Sequence, residues 1–283
     1  MADRMAAMRR LCLIAMIMTM AVSSLSAQRI VSVGSVVTET LFALGLGRYV
    51  VGVDVTSTYP ASVHSLTNVG YFTALSTEGL LSLKPTHIVA IGEAGPPHVI
   101  GQLKAAGVKI VTVERPETLD ETCRCIETIG ASFGAAAKAR ELTAKLRSDM
   151  TALWKEITAK PVGKRILFLY LRGKSVTYIS GKGTVSDAMV QSVGATNAID
   201  AKGNIAITAE SVIGANPDII VVTEHGAASV GGMDGVRALP GVAATRAGKA
   251  GKIVKVDDAL MLTFGPRLAE GTKTLYDLLR NAQ

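Results

Sequence analysis

Leu75-Ser-Thr-Glu78-Gly-Leu-Leu-Ser-Leu-Lys-Pro85-Thr-His-Ile-Val-Ala90 is echoed 132 positions later by Ile207-Thr-Ala-Glu210-Ser-Val-Ile-Gly-Ala-Asn-Pro217-Asp-Ile-Ile-Val-Val222. In both, Glu stands seven residues before Pro, inside a short helix leading to a buried strand. A second pair follows in the same order, Ala106-Gly-Val-Lys-Ile-Val-Thr-Val-Glu114 and Ala250-Gly-Lys-Ile-Val-Lys-Val-Asp257. One such block occurs in many parallel sheets. Two in order imply two lobes of similar architecture.

Outward from the first block, the same grammar continues. Arg29 to Gly34 reads as a strand, with Ser35 capping a helix that runs to Leu44 and stops at Gly45 and Gly47. Tyr49–Asp54, Thr86–Ile91 and Lys109–Glu114 read as strands. Ser76–Lys84 and Pro96–Ala106 read as helices, the first stopped by Pro85. The strands are continuous Val/Ile runs, as expected when both faces are buried, and strand–helix alternation implies a parallel sheet covered by helices. Ala135 to Lys160 has no Gly or Pro, and Leu142, Leu146, Met150, Leu153, Trp154 and Ile157 recur at three- and four-residue steps. That is one long amphipathic helix, stopped by Pro161. The expected fold is α/β: two parallel-sheet lobes of similar architecture (28–134 and 161–283), joined by one long rigid helix (135–160), with a ligand cleft between lobes.

The chain has 283 residues, 48% hydrophobic and 19% charged, which excludes a disordered chain. Aromatics are 4%, too few for a stacking platform for nucleic acid. The net charge of +7 is dispersed without a basic tract, so no nucleic-acid partner is expected. Arg9 and Arg10 precede an apolar run from Leu11 to Val22, then Ser23-Ser24-Leu25-Ser26-Ala27. This is the pattern of a secretory signal peptide over residues 1–27, too short to span a bilayer. Cleavage after Ala27 lowers the charge to +5, and with no Cys after the junction no lipid anchor is expected. Cys123 and Cys125 sit in a helix opened by Thr118, with Glu121 three residues later as a capping box. Residues two apart on a helix point about 200° from each other, so the pair reads as core filling rather than as a disulfide.

Asp54-Val-Thr-Ser-Thr-Tyr59-Pro60, Val69-Gly70-Tyr71, the Leu75–Pro85 helix and Phe264-Gly265-Pro266-Arg267 together resemble the periplasmic substrate-binding proteins of ABC importers, helix-linked type. Within that group they are most similar to the haem-binding proteins of bacterial haem uptake. The resemblance covers nearly the whole chain after residue 27. It implies a non-enzymatic periplasmic carrier, a monomer, that binds haem and delivers it to an ABC permease dimer with its ATPase at the inner membrane. It implies Tyr71 as the haem-iron ligand, since haem binders place their axial tyrosine there. A phenolate is a hard donor suited to ferric iron. Free phenol ionises near pH ~10, so iron and a nearby cation must favour the anion, and Arg267 is the candidate cation. Many haem binders also carry Arg two residues after the tyrosine; here Thr73 stands there. The resemblance further implies that Glu78 and Glu210, one on each lobe, engage arginines on the permease.

Tyr59 belongs to a Tyr-Pro pair shared with cobalamin and siderophore binders. His98 follows Pro96-Pro97 near a strand's carboxyl end, and His225 ends a second-lobe strand. Both are candidates for the haem pocket. His64 follows the Tyr59 loop, and His87 lies within a strand as a core or sheet-end histidine. A carrier for cobalamin or a ferric siderophore is the alternative within the same family. An exported tetrapyrrole-modifying enzyme would need a nucleophile–base pair or a redox site. The chain has no His-Glu-x-x-His or Walker motif, nor Gly-x-Gly-x-x-Gly after its first strand.

Overall fold

Four apolar residues, β1 (Ile30–Val33), are all buried. The computed structural model describes residues 28–173 and 175–282, and the expected leader, 1–27, lies outside the described residues. β1 forms the middle of a five-stranded sheet with β2 (Val50–Val53), β3 (Thr67–Asn68), β4 (His87–Ile91) and β5 (Lys109–Val113), in the order β3-β2-β1-β4-β5. Every pairing is parallel. The crossovers run through α1 (Ser35–Ala43), α2 (Thr77–Ser82) and α3 (Pro97–Ala105). Gly34, not Ser35, occupies the cap position of α1, and no side chain caps that helix. Gly34 has φ 107°, and a Cβ there would meet Ile91 Cγ2 at 2.8 Å, so both backbone and packing require glycine.

The chain divides into two compact units between Val113 and Glu114. The second opens with α4 (Leu119–Ser132) and the long α5 (Ala136–Ala159). Thr118 Oγ1 accepts the Glu121 N–H, but the Glu121 carboxylate accepts the N–H of Glu117. Leu146, Met150, Leu153 and Ile157 of α5 are buried as the spacing predicts, whereas Trp154 is 38% exposed. Cys123 and Cys125 are buried free thiols, and burial pushes Cys125 up to about 12.

β6 (Arg165–Leu171), β7 (Thr177–Ser180), β8 (Thr196–Asn197), β9 (Asn204–Ala206), β10 (Ile219–Thr223) and β11 (Ile253–Val256) form the second sheet, ordered β11-β10-β6-β7-β9 with β8 alongside β6. This sheet is mixed, not parallel as expected: β7 runs antiparallel to both β6 and β9. Only five residues separate Leu171 from Thr177, too few for a parallel crossover, so the chain turns back as a hairpin, closed by Arg172 N–H to Val176 O at 2.8 Å. β6, β10 and β11 keep the parallel core.

The internal repeat is real in three dimensions. α2 corresponds to α7 (Ala209–Ala215), which follows α6 (Val185–Ser192). Ser76 and Thr208 cap the two helices through their hydroxyls. Glu78 and Glu210 take the second helical position and are exposed. Leu80 and Val212 are fully buried two residues on, each worth about 1.5–3 kcal/mol. Lys84 (φ 47°) and Asn216 (φ 38°), the two non-glycine residues with positive φ among the described residues, end the helices at matching places. The strand entries match as well. Arg29 Nη2 donates to Leu83 O at 2.7 Å and Arg165 Nη2 to Ala215 O at 3.3 Å, satisfying helix-end carbonyls. The Arg29 N–H donates to Thr86 Oγ1 and the Arg165 N–H to Asp218 Oδ2, both at 2.9 Å.

Candidate functional site

Three loops leave the carboxyl ends of β2, β3 and β4, the edge where open α/β sheets bind ligands. Backbone hydrogen bonds stitch them together. Val55 N–H donates to Gly70 O at 3.0 Å, Gly95 N–H to Phe72 O at 2.9 Å, and Leu75 N–H to Gly95 O at 2.9 Å. Tyr71 follows Gly70, whose φ of 93° suits glycine and whose N–H donates to Asn68 Oδ1 at 2.8 Å. Ala74 N–H donates to Tyr71 O at 2.8 Å and closes the turn. The Tyr71 ring lies 4.4 Å from the buried Phe72 ring, tilted 37°. Tyr71 is nevertheless 44% exposed, Tyr59 43% and Val55 47%. These are three of the six large apolar side chains exposed among the described residues, gathered on two linked loops. Tyr71 and Tyr59 thus share one edge, on loops joined through Val55. His98 is exposed at the second position of α3, three residues past Gly95, and His64 is exposed in the turn Ala61–Ser65. His87 is half-buried at the opposite end of its strand, with Nδ1 2.9 Å from Thr86 Oγ1.

Sequence reading missed what holds this edge. Asp54 is fully buried, and its carboxylate accepts four bonds. Oδ1 takes Gly34 N–H at 2.8 Å and Ser57 Oγ–H at 2.7 Å, while Oδ2 takes Thr56 N–H at 3.1 Å and Thr56 Oγ1–H at 2.5 Å. Asp54 stood in the quoted Asp54–Pro60 segment, but its partner Gly34 is 20 residues away.

In the second unit, His225 is exposed at the second position of α8 (Glu224–Ser229), at the carboxyl end of β10. Its N–H donates to Asp258 Oδ2 at 2.9 Å. Arg172 follows β6, with Nη2 3.0 Å from Asp258 Oδ1, a contact by distance that lacks hydrogen-bond alignment. Its guanidinium also lies 4.8 Å from the Tyr170 ring centre. Arg267 stands at the cap of the last helix, Leu268–Asn281, largely buried and 3.8 Å from Glu270 Oε1. Phe264 O accepts from Thr122 Oγ1 at 3.4 Å, tying the Phe-Gly-Pro-Arg segment to α4. Among the described residues no cluster of three His, Cys, Asp or Glu could hold a bare metal ion. No helix there is long and apolar enough to cross a membrane.

Comparisons with known proteins set the chain among substrate-binding proteins of ABC transporters rather than among enzymes. Residues 30–260 match the periplasmic binding protein family, and the chain belongs to it. The solved periplasmic heme-binding protein RhuT from Roseiflexus sp. RS-1 is 36% identical, with a TM-score of 0.86 over 90% of this chain and 98% of that one. The uncharacterized ABC transporter substrate-binding lipoprotein YvrC of Bacillus subtilis (strain 168) is 33% identical over 88% of this chain and 79% of its own length. The vitamin B12-binding protein of Salmonella typhimurium (strain LT2) is 25% identical over 87% of this chain and 82% of its own.

Proposed function

We propose that this chain is the periplasmic carrier of an ABC haem importer, with the Tyr71 phenolate as the ligand to ferric haem iron. One observation carries the reading: a tyrosine backed by a buried ring, half exposed, on a loop tied by hydrogen bonds at the carboxyl edge of a parallel sheet. A phenolate so placed offers a hard oxygen to iron, and Val55 and Tyr59 offer apolar surface to a flat macrocycle. The greater identity to a haem-binding structure than to the vitamin B12-binding relative favours haem. Arg267 is the supporting cation in this reading, and His98 and His225 are the pocket histidines. The carrier works as a monomer in the periplasm and hands haem to a permease dimer with its ATPase, docking through Glu78 and Glu210.

The test is Tyr71→Ala. The purified variant should bind ferric haem more weakly and lose the phenolate-to-iron charge-transfer absorption. An unchanged spectrum excludes Tyr71 as the ligand. The second reading, a cobalamin carrier, is favoured by the vitamin B12-binding relative and predicts that the wild-type protein binds cobalamin and leaves haem free.

A further inference from the structure

We infer that Asp54 is the positioning residue for the Tyr71 loop, acting through a hydrogen-bond chain of fixed direction that starts in β1. This inference rests on the reading of Tyr71 as the iron ligand. Ser32 Oγ lies 2.6 Å from Thr38 Oγ1, and Thr38 Oγ1 lies 2.7 Å from Ser57 Oγ. Ser57 Oγ lies 2.7 Å from Asp54 Oδ1. All four side chains are buried.

Each hydroxyl has one proton to give, and a carboxylate only accepts. The Ser57 proton therefore goes to Asp54. Thr38 must then donate to Ser57, and Ser32 to Thr38. The whole chain points at one carboxylate, which also receives Gly34 N–H, Thr56 N–H and Thr56 Oγ1–H. Both oxygens have two donors each, so the group is saturated in a site without water access, where an unmet donor is costly.

The mechanical consequence falls on the next residue. Asp54 N–H donates to Ser32 O at 3.2 Å, and Val55 N–H donates to Gly70 O, one residue before Tyr71. The carboxylate anchors its own loop to the β1–α1 turn at Gly34, and through Val55 that loop sets the height and direction of the tyrosine. The side chain of Asp54 has no route to a ligand, because it is fully buried. Its effect on iron is indirect, of the kind that outer-shell residues exert on metal sites.

The variants are Asp54→Asn and the milder Thr38→Val, compared with Tyr71→Phe and the double variant Asp54→Asn/Tyr71→Phe. An amide replaces one acceptor oxygen with a donor, so two of the four donors lose their acceptor. Folded Asp54→Asn should bind ferric haem about 10- to 100-fold more weakly and show a shifted or diminished charge-transfer band even at saturation. Thr38→Val leaves the carboxylate in place and should give a smaller change of the same sign. In the Tyr71→Phe background the Asp54 substitution should cost little more, since its effect passes through the missing phenolate. If Asp54→Asn only lowers thermal stability, with wild-type affinity and band, the positioning role is overturned while the coordination reading stands. If Asp54→Asn fails to fold, a wild-type band and affinity in Thr38→Val overturns it likewise. An unchanged band in Tyr71→Phe overturns the coordination reading and this inference with it.

Discussion

His87 couples the first unit to pH. It pairs in register with Lys109 on β5, and burial and then the Lys109 charge hold its imidazole below the usual histidine range. The neutral form is therefore favoured in the folded protein. Stability is complete above the unfolded value of about 6.5 and falls as acid protonates the unfolded chain first. His87→Asn removes the titration and keeps an acceptor near Thr86. Urea unfolding at several pH values between about 5 and 7 should give a flatter dependence for the variant than for the wild type. Equal slopes would show that His87 contributes nothing to acid sensitivity. Neither this coupling nor the Asp54 network was legible in the sequence. The residues concerned are ordinary, and their partners (Lys109; Gly34, Ser32 and Thr38) become neighbours only through strand register and the β1–α1 turn.

The helix ends are where the repeat can be probed. Lys84 and Asn216 both adopt left-handed backbone, which costs a non-glycine residue about 1–2 kcal/mol. Asparagine tolerates it better, and Asn216 Oδ1 also accepts the Arg246 N–H at 3.3 Å. Lys84→Gly should therefore stabilise the protein by up to about 1 kcal/mol, read as a raised denaturation midpoint, whereas Asn216→Gly should be neutral or harmful. Equal effects would mean that the two ends are not differentiated by the asparagine side chain. The elements themselves were largely readable: Val/Ile runs marked the buried strands, and Gly and Pro marked their limits. The β6–β7 hairpin was not, because nothing in Leu169–Leu171 or Thr177–Ile179 signals strand direction, and only the brevity of the intervening turn does. Trp154 was misread because a helical stripe does not reveal how far round the helix its cover extends.

Two units that repeat one design present one carboxylate each, on helices capped and anchored alike. In the proposed docking role each carboxylate engages an arginine of the permease. In the first turn Glu78 and Glu210 also favour their own helix dipoles by about 0.3–1 kcal/mol, which alone would account for their presence. Glu78→Ala and Glu210→Ala should leave haem binding intact and impair transfer to the permease, the double variant most, with wild-type docking weakened by salt. Normal transport by a folded, loaded double variant would leave both as helix-start carboxylates only. The candidate tyrosine and glutamates were visible from motif and repeat. The second-unit contacts of Arg172 and Asp258 were not, since they join residues 86 apart in the chain.

The place of β1 at the centre of its sheet bears on the order in which the protein can be made. β1 precedes both of its neighbours in the chain, yet Ile30 pairs with Val50 and His87. The Arg29 contacts with Leu83, Lys84 and Thr86 span 54 to 57 positions. The β4 side of β1 therefore stays unpaired until the ribosome has added the residues up to His87, long after the β2 side can pair, because a strand cannot pair with a neighbour not yet synthesised. The first unit therefore cannot close its sheet until β4 and β5 have been made, and its folding waits on residues far downstream of the strand at its centre.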